Sequence, residues 1–186
     1  MQLAGREEKW MSEGARMAAA AGADILDINM GCPARKVTNG YSGSALMQDP
    51  DHALRLIEAT VQATELPVCL KMRLGWDENS LNAGEIARRA QNAGIQLVTI
   101  HGRTRNQFYK GRADWAAIRR VSEQVDIPVI ANGDIVDMNQ VDEVLTLSGA
   151  NGIMIGRGAY GRPWFPGYVR SRMAAGSTPL AEPTHR

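Results

Sequence analysis

The sequence predicts an α/β chain that forms part of a TIM (β/α)8 barrel, with about six βα units. Three observations lead there. Short strand-like runs alternate with helical patterns along the 186 residues, as in a parallel sheet with crossover helices. Nearly every run ends on or beside a polar residue, which a barrel mouth built from all its βα loops requires; an open doubly wound sheet gathers its ligand at one switch point. A complete barrel takes about 250 residues. Six strands, the first starting at the second residue, therefore read as the later three-quarters of one.

The elements follow in order. "QLAG" (2–5) reads as the first strand, and the Ala-, Met-, Glu- and Arg-rich stretch 8–21 as its helix. "DILDIN" (24–29) is the second strand; Gly31, Cys32 and Pro33 break it. Residues 50–64 place Ala53, Leu54, Ile57 and Val61 at helical spacing. "PVCLKM" (67–72), "QLVTIH" (96–101), "IPVIAN" (127–132) and "NGIMIG" (151–156) are the remaining strands. Helices are expected over 83–93, 114–125, 137–147 and 164–175. Alternation along a strand turns Lys71 and Cys69 to the same side, with Cys69 one layer deeper as a core residue.

Composition narrows the class. Apolar residues make up 44% of the chain, ordinary for a globular protein. No apolar run approaches the roughly 18 residues of a membrane span, and the first residues lack the layout of a signal peptide. Two cysteines, Cys32 and Cys69, make neither a disulfide framework nor a zinc site, so a cytoplasmic protein with reduced thiols and no metal is expected. The net charge is only +1, but its distribution is uneven. Residues 31–48 hold Arg35 and Lys36 without an acid; 102–112 hold Arg103, Arg105, Lys110 and Arg112; 156–172 hold Arg157, Arg162, Arg170 and Arg172. A one-sided basic rim of this kind suits a nucleic acid.

Individual residues carry chemistry at the strand ends. "NGD" (132–134) and "IGRGAYGR" (155–162) close the last two strands with glycines that let backbone N–H groups approach a phosphate. Lys71 is open to several readings: a Schiff base, a contact to an oxyanion or reduced cofactor, or a buried ion pair with Asp27. His101, in "TIHGRTR", is equally open between a structural and a functional role.

Seven stretches, "QLAG", "DINMGCPARKV", "SGSALMQDP", "LKMRLGW", "TIHGRTR", "IPVIANGDI" and "IMIGRGAYGRPW", occur in this order. With them the chain resembles the bacterial tRNA-dihydrouridine synthases, most closely the branch associated with nitrogen regulation, over residues 2–170. The resemblance implies a partial FMN-binding barrel over 1–170, with 171–186 beginning the link to a C-terminal helical domain that helps hold tRNA. The family's first two strands and that helical domain lie outside this sequence, so the segment alone is not expected to turn over. NADPH, or NAD(P)H more broadly, is the implied reductant and tRNA the implied partner.

Site residues follow from the same resemblance. Cys32 matches the proton donor. Gln2 and Lys71 match contacts to the flavin ring, and His101 a further FMN contact. Asn132, Gly133, Asp134, Gly156 and Arg157 match the phosphate side. Asn29 matches a residue near the target uridine. Arg35 and Lys36 lie in the loop that approaches the RNA, and Arg103 and Arg105 extend that RNA-binding set. The family reaction saturates the C5=C6 bond of uracil. A thiol suits the acid that this needs: with a reference pKa of about 8.5 it is mostly protonated at pH 7, whereas a serine hydroxyl is far too weak. Gly31 and Pro33 are expected to turn the thiol toward the mouth. Two rivals remain: a dihydroorotate-dehydrogenase-like FMN barrel acting on a free pyrimidine, and a non-catalytic flavin- or RNA-binding segment.

Overall fold

A computed structural model describes residues 1–174. Six parallel strands hydrogen-bond in the order β1-β2-β3-β4-β5-β6. They are β1 (Gln2–Leu3), β2 (Leu26–Met30), β3 (Val68–Arg73), β4 (Leu97–His101), β5 (Val129–Asn132) and β6 (Gly152–Met154). Between them run α1 (Glu8–Ala20), a short α2 (Arg35–Thr38), α3 (Pro50–Val61), α4 (Ala83–Asn92), α5 (Trp115–Ser122) and α6 (Met138–Ser148), and α7 (Phe165–Met173) follows β6. Each crossover leads to the next strand in the same direction. Since such crossovers are right-handed, the main helices fall on one face of the sheet. This is an α/β fold consistent with part of a TIM-barrel-like sheet, and it excludes the doubly wound alternative, which covers both faces.

Burial follows from that layering. Leu26, Ile28 and Met30 of β2, and Val68, Leu70 and Met72 of β3, point at the helices and are buried. Against them pack Met11, Ala15 and Ala18 of α1, Leu56 and Ile57 of α3, and Ile86 and Ala87 of α4. Alanines at the contact let helices lie close to the strands. Asp49, Asp114 and Asp137 each accept a backbone N–H in the first turn of α3, α5 and α6, and so fix where these helices begin. α6 ends on Gly149 at φ 61°, a left-handed cap that suits glycine.

The alternate positions form the other face, and the register stacks them in rows. Asn29, Lys71, Thr99 and Ile130 are successive cross-strand partners, as are Arg73, His101, Asn132 and Met154. Asp27 and Cys69 pair one layer below. Cys69 is only half-buried, so the expectation of a core thiol is corrected: it lies on the polar face, away from the helix layer. β2 and β3 each run one residue beyond their expected ends, and β6 stops at Met154, short of Gly156. α7 crosses the expected boundary at 170/171, and the remainder of the expected linker, 175–186, lies outside the described residues.

Candidate active site at the strand carboxyl ends

A cavity of about 720 Å³ opens at the carboxyl ends of the strands. Gln2, Asn29, Cys32, Lys71, His101, Asn132, Gly133, Asp134, Gly156 and Arg157 all line it. They come from every strand or the loop that follows it.

The Cys32 loop is built on Asn29. Its Oδ1 accepts the backbone N–H groups of Gly31 (3.1 Å) and Cys32 (3.0 Å). Its Nδ2 donates to Gln2 Oε1 at 2.9 Å, and Gln2 in turn donates to Asp27 Oδ2. The strand therefore ends because a side-chain carbonyl captures the next two amides, a local turn open to Asn. Gly31 contributes little conformational freedom: its φ is not positive, and a Cβ there would make ordinary contacts. On the far side, Arg73 Nε donates to Gly31 O at 2.8 Å, and Ser44 donates to Cys32 O through both Oγ (2.8 Å) and N (3.1 Å). The basic stretch that follows is the helical turn α2 where an irregular loop was expected, and Arg35 and Lys36 on it are exposed.

Lys71 Nζ donates to Asn132 Oδ1 at 3.0 Å, while Asn132 Nδ2 donates to Met154 O. The ion-pair reading with Asp27 is replaced: Asp27 takes its hydrogen bond from Gln2. Burial, aided by the Arg73 charge and opposed by Asp27, brings the Lys71 ammonium down to about 8. His101 is pushed down to about 3 by burial, then by Arg73, Lys71 and Arg103, with Asp134 opposing. Its Nε2 lies 3.2 Å from Arg103 Nη1. A guanidinium only donates, so Nε2 accepts and the ring proton sits on Nδ1.

Arg103 is corrected as an RNA-binding residue. It is 1% exposed, and its guanidinium is fully engaged. Nε donates to Lys110 O, Nη1 to Asp134 Oδ1 and His101 Nε2, and Nη2 to Asp134 Oδ2 (2.6 Å) and Gly111 O. Burial alone raises the Asp134 carboxyl, but the Arg103 hydrogen bonds, the Ala113 amide and the Arg103 and Arg157 charges outweigh it and hold the group below its ordinary value. Arg157 reaches the same carboxylate at 3.3 Å. Arg105 is half-buried, stacked between Trp76 (4.5 Å) and Phe108 (4.8 Å), with Nη2 3.3 Å from Thr38 Oγ1. Arg170 borders a separate apolar groove of about 400 Å³ beside β6 and α7. The exposed basic set is therefore smaller than the charge count implies; Arg35, Lys36, Lys110, Arg112 and Arg157 are exposed, and Arg157 lines the cavity itself.

Sequence reasoning missed three contributors. Arg73 is 1% exposed; beyond Gly31 O it donates to Thr104 O and Phe108 O, tying the loop after β4 to the Cys32 loop. Tyr109 lies between the guanidinium groups of Arg73 (5.5 Å) and Arg157 (5.0 Å). Ser44 is wholly buried under Cys32. Only "SGSALMQDP" as an ordered stretch pointed toward Ser44.

The donor set fits a flat cofactor with an anionic tail. Ile135, Val136, Met154 and Ile155 give the cavity an apolar wall, while Gln2 and Lys71 offer N–H donors to a polar ring edge. A Cβ on Gly156 would meet open space, leaving backbone and Arg157 accessible to a phosphate. Fold and cavity together define a TIM-barrel-like α/β protein with its polar site at the strand carboxyl ends.

Comparison with known proteins narrows that class. Residues 1–184 match the family described as dihydrouridine synthase (Dus), and the chain belongs to that family. It is 68% identical over 169 residues to a probable tRNA-dihydrouridine synthase of Rhizobium leguminosarum bv. phaseoli, covering 91% of this chain and 53% of that protein. A probable tRNA-dihydrouridine synthase of Rhodobacter capsulatus is 62% identical (88% and 51% covered). The tRNA-dihydrouridine synthase B of Yersinia pestis is 50% identical (88% and 51% covered). The chain thus spans about half the length of the curated relatives it matches. Among solved structures, a mandelate racemase/muconate lactonizing protein from Herpetosiphon aurantiacus superposes with a TM-score of 0.61 at 18% identity, covering 88% of this chain and 39% of that one. At that identity the likeness concerns the fold alone.

Proposed function

We propose that this chain is the flavin-holding part of a tRNA-dihydrouridine synthase, which reduces uridines in tRNA to 5,6-dihydrouridine with FMN and NAD(P)H in the cytoplasm. The observation that carries the reading is a thiol on a hydrogen-bonded loop at the edge of a cavity that also holds Lys71, His101 and Arg157. When bound and reduced by NAD(P)H, FMN would supply the hydride that adds to C6 of the uracil ring. The Cys32 thiol delivers its proton to C5, so the C5=C6 double bond becomes a single bond with two new C–H bonds, and the thiolate recovers a proton from water. Gln2 and Lys71 hold the ring edge of the cofactor, and His101, neutral at pH 7, adds an uncharged contact. Arg157, with the backbone of Gly133 and Gly156, holds the phosphate; Asp134 orients Arg157. Asn132 steadies Lys71.

Asn29 keeps one amide proton beyond its bond to Gln2 and offers it to a uracil carbonyl. The base must leave its stack to enter, and Arg35 and Lys36 meet the flanking phosphates. Arg105 contributes through Thr38, by bracing α2. The test uses a chain of the relatives' length, FMN, NADPH and tRNA lacking dihydrouridine. Mass spectrometry should show two added hydrogens per modified uridine. Lys71→Ala and Arg157→Ala should each purify with less flavin, Arg157 because a charge-assisted bond to phosphate contributes roughly 1.5–3 kcal/mol. Flavin-loaded protein that leaves tRNA mass unchanged contradicts the reaction; full flavin in both variants contradicts the cofactor site.

A further inference from the structure

The two peptide planes on either side of the Cys32 Cα are anchored differently. The first, Gly31–Cys32, is held at both ends: Arg73 Nε takes Gly31 O, and Asn29 Oδ1 takes Cys32 N–H. The second, Cys32–Pro33, has no N–H, because proline lacks one. Its one hydrogen-bonding group is Cys32 O, and that oxygen receives both Ser44 Oγ at 2.8 Å and Ser44 N at 3.1 Å. Ser44 is 0% exposed, so water does not replace it. The residue before it presses on the same place: Gly43 sits at φ 61°, and a Cβ there would stand 2.9 Å from Cys32 O and 3.2 Å from Cys32 Cβ.

We propose that Ser44 is a positioning residue for the Cys32 thiol, fixing the Cys32–Pro33 peptide plane and so the direction of the Cα–Cβ bond. With the first plane held by Arg73 and Asn29 and the second by Ser44, φ and ψ of Cys32 are set together. Only rotation about χ1 remains for the sulfur. The role in turnover rests on the reading of Cys32 as proton donor; the geometric role does not.

The test separates the two and uses the flavin-loaded, family-length chain. Cys32 and Cys69 are both free and half-buried, so alkylation by iodoacetamide can be followed at each by mass spectrometry. Ser44→Ala should speed alkylation of Cys32 by about threefold or more, the scale of one lost hydrogen bond, and leave Cys69 unchanged. Single-turnover uridine reduction should slow about tenfold with tRNA affinity intact, since a misplaced acid costs chemistry and not binding. Ser44→Cys, which keeps a weak donor, should fall between. Parallel acceleration at both cysteines, or none at either, overturns the latch, because it would show general loosening or no coupling. Selective acceleration at Cys32 with turnover unaffected keeps the latch and removes Cys32 as the proton donor. If Ser44→Ala does not fold, Gly43→Ala, which crowds the same carbonyl and keeps the hydroxyl, should change Cys32 alkylation alone; an unchanged rate there also overturns the proposal.

Discussion

Burial among Arg73, Lys71 and Arg103 keeps the His101 imidazole neutral down to about pH 3. Its folded pKa therefore lies below the unfolded value of about 6.5. Between those values the unfolded chain binds a proton that the folded chain refuses, so His101 costs stability as pH falls from 6.5 toward 3 and nothing above 6.5. His101→Gln should flatten the fall in denaturant midpoint between pH 7 and pH 4.5. An equally steep fall in the variant would show that other groups carry it. At this scale the sequence was legible where the residue type is unusual for its place: a cysteine after a strand-ending asparagine, a lysine and a histidine at strand ends. It was misleading for Arg103, because a count of charges along the chain cannot see that Asp134, 31 residues away, takes the guanidinium. Arg73 and Ser44 were illegible for the same reason. Their roles depend on backbone carbonyls 42 and 12 residues distant.

Six strands were expected and six occur among the described residues, because each apolar run must bury one face against a helix and expose the other to the site. Their ends shifted by at most two residues, since pairing partners and side-chain captures such as Asn29 decide where a strand stops, and neither leaves a periodic signal. The turn after β5 shows how tightly an element end is specified. Gly133 sits at φ 118°, and its carbonyl accepts the buried Trp115 Nε1 at 2.9 Å. A Cβ there would lie 2.8 Å from Ala113 Cβ and 2.9 Å from His101 Cδ2. Gly133→Ala should therefore destabilise the fold by about 1–3 kcal/mol through backbone strain and crowding and weaken flavin binding at the phosphate side. Denaturant unfolding and flavin retention check both; wild-type values in each would show that this turn tolerates a side chain.

Across the whole molecule, a one-faced helix layer leaves the opposite face of the sheet to the site, and β1 and β6 are the sheet edges among the described residues. Unpaired edges recruit other chains. The 186-residue chain is expected to self-associate in sedimentation, and a chain of the relatives' length to be monodisperse and yellow; a monodisperse short chain that unfolds cooperatively would show that its edges are protected otherwise. In flavin-loaded, family-length protein, single-turnover reduction of tRNA uridine should fall by about a hundredfold or more in Cys32→Ala, the ordinary scale of general-acid catalysis, while FMN and tRNA still bind. Dihydrouridine formation at close to the wild-type rate by that variant would contradict the account.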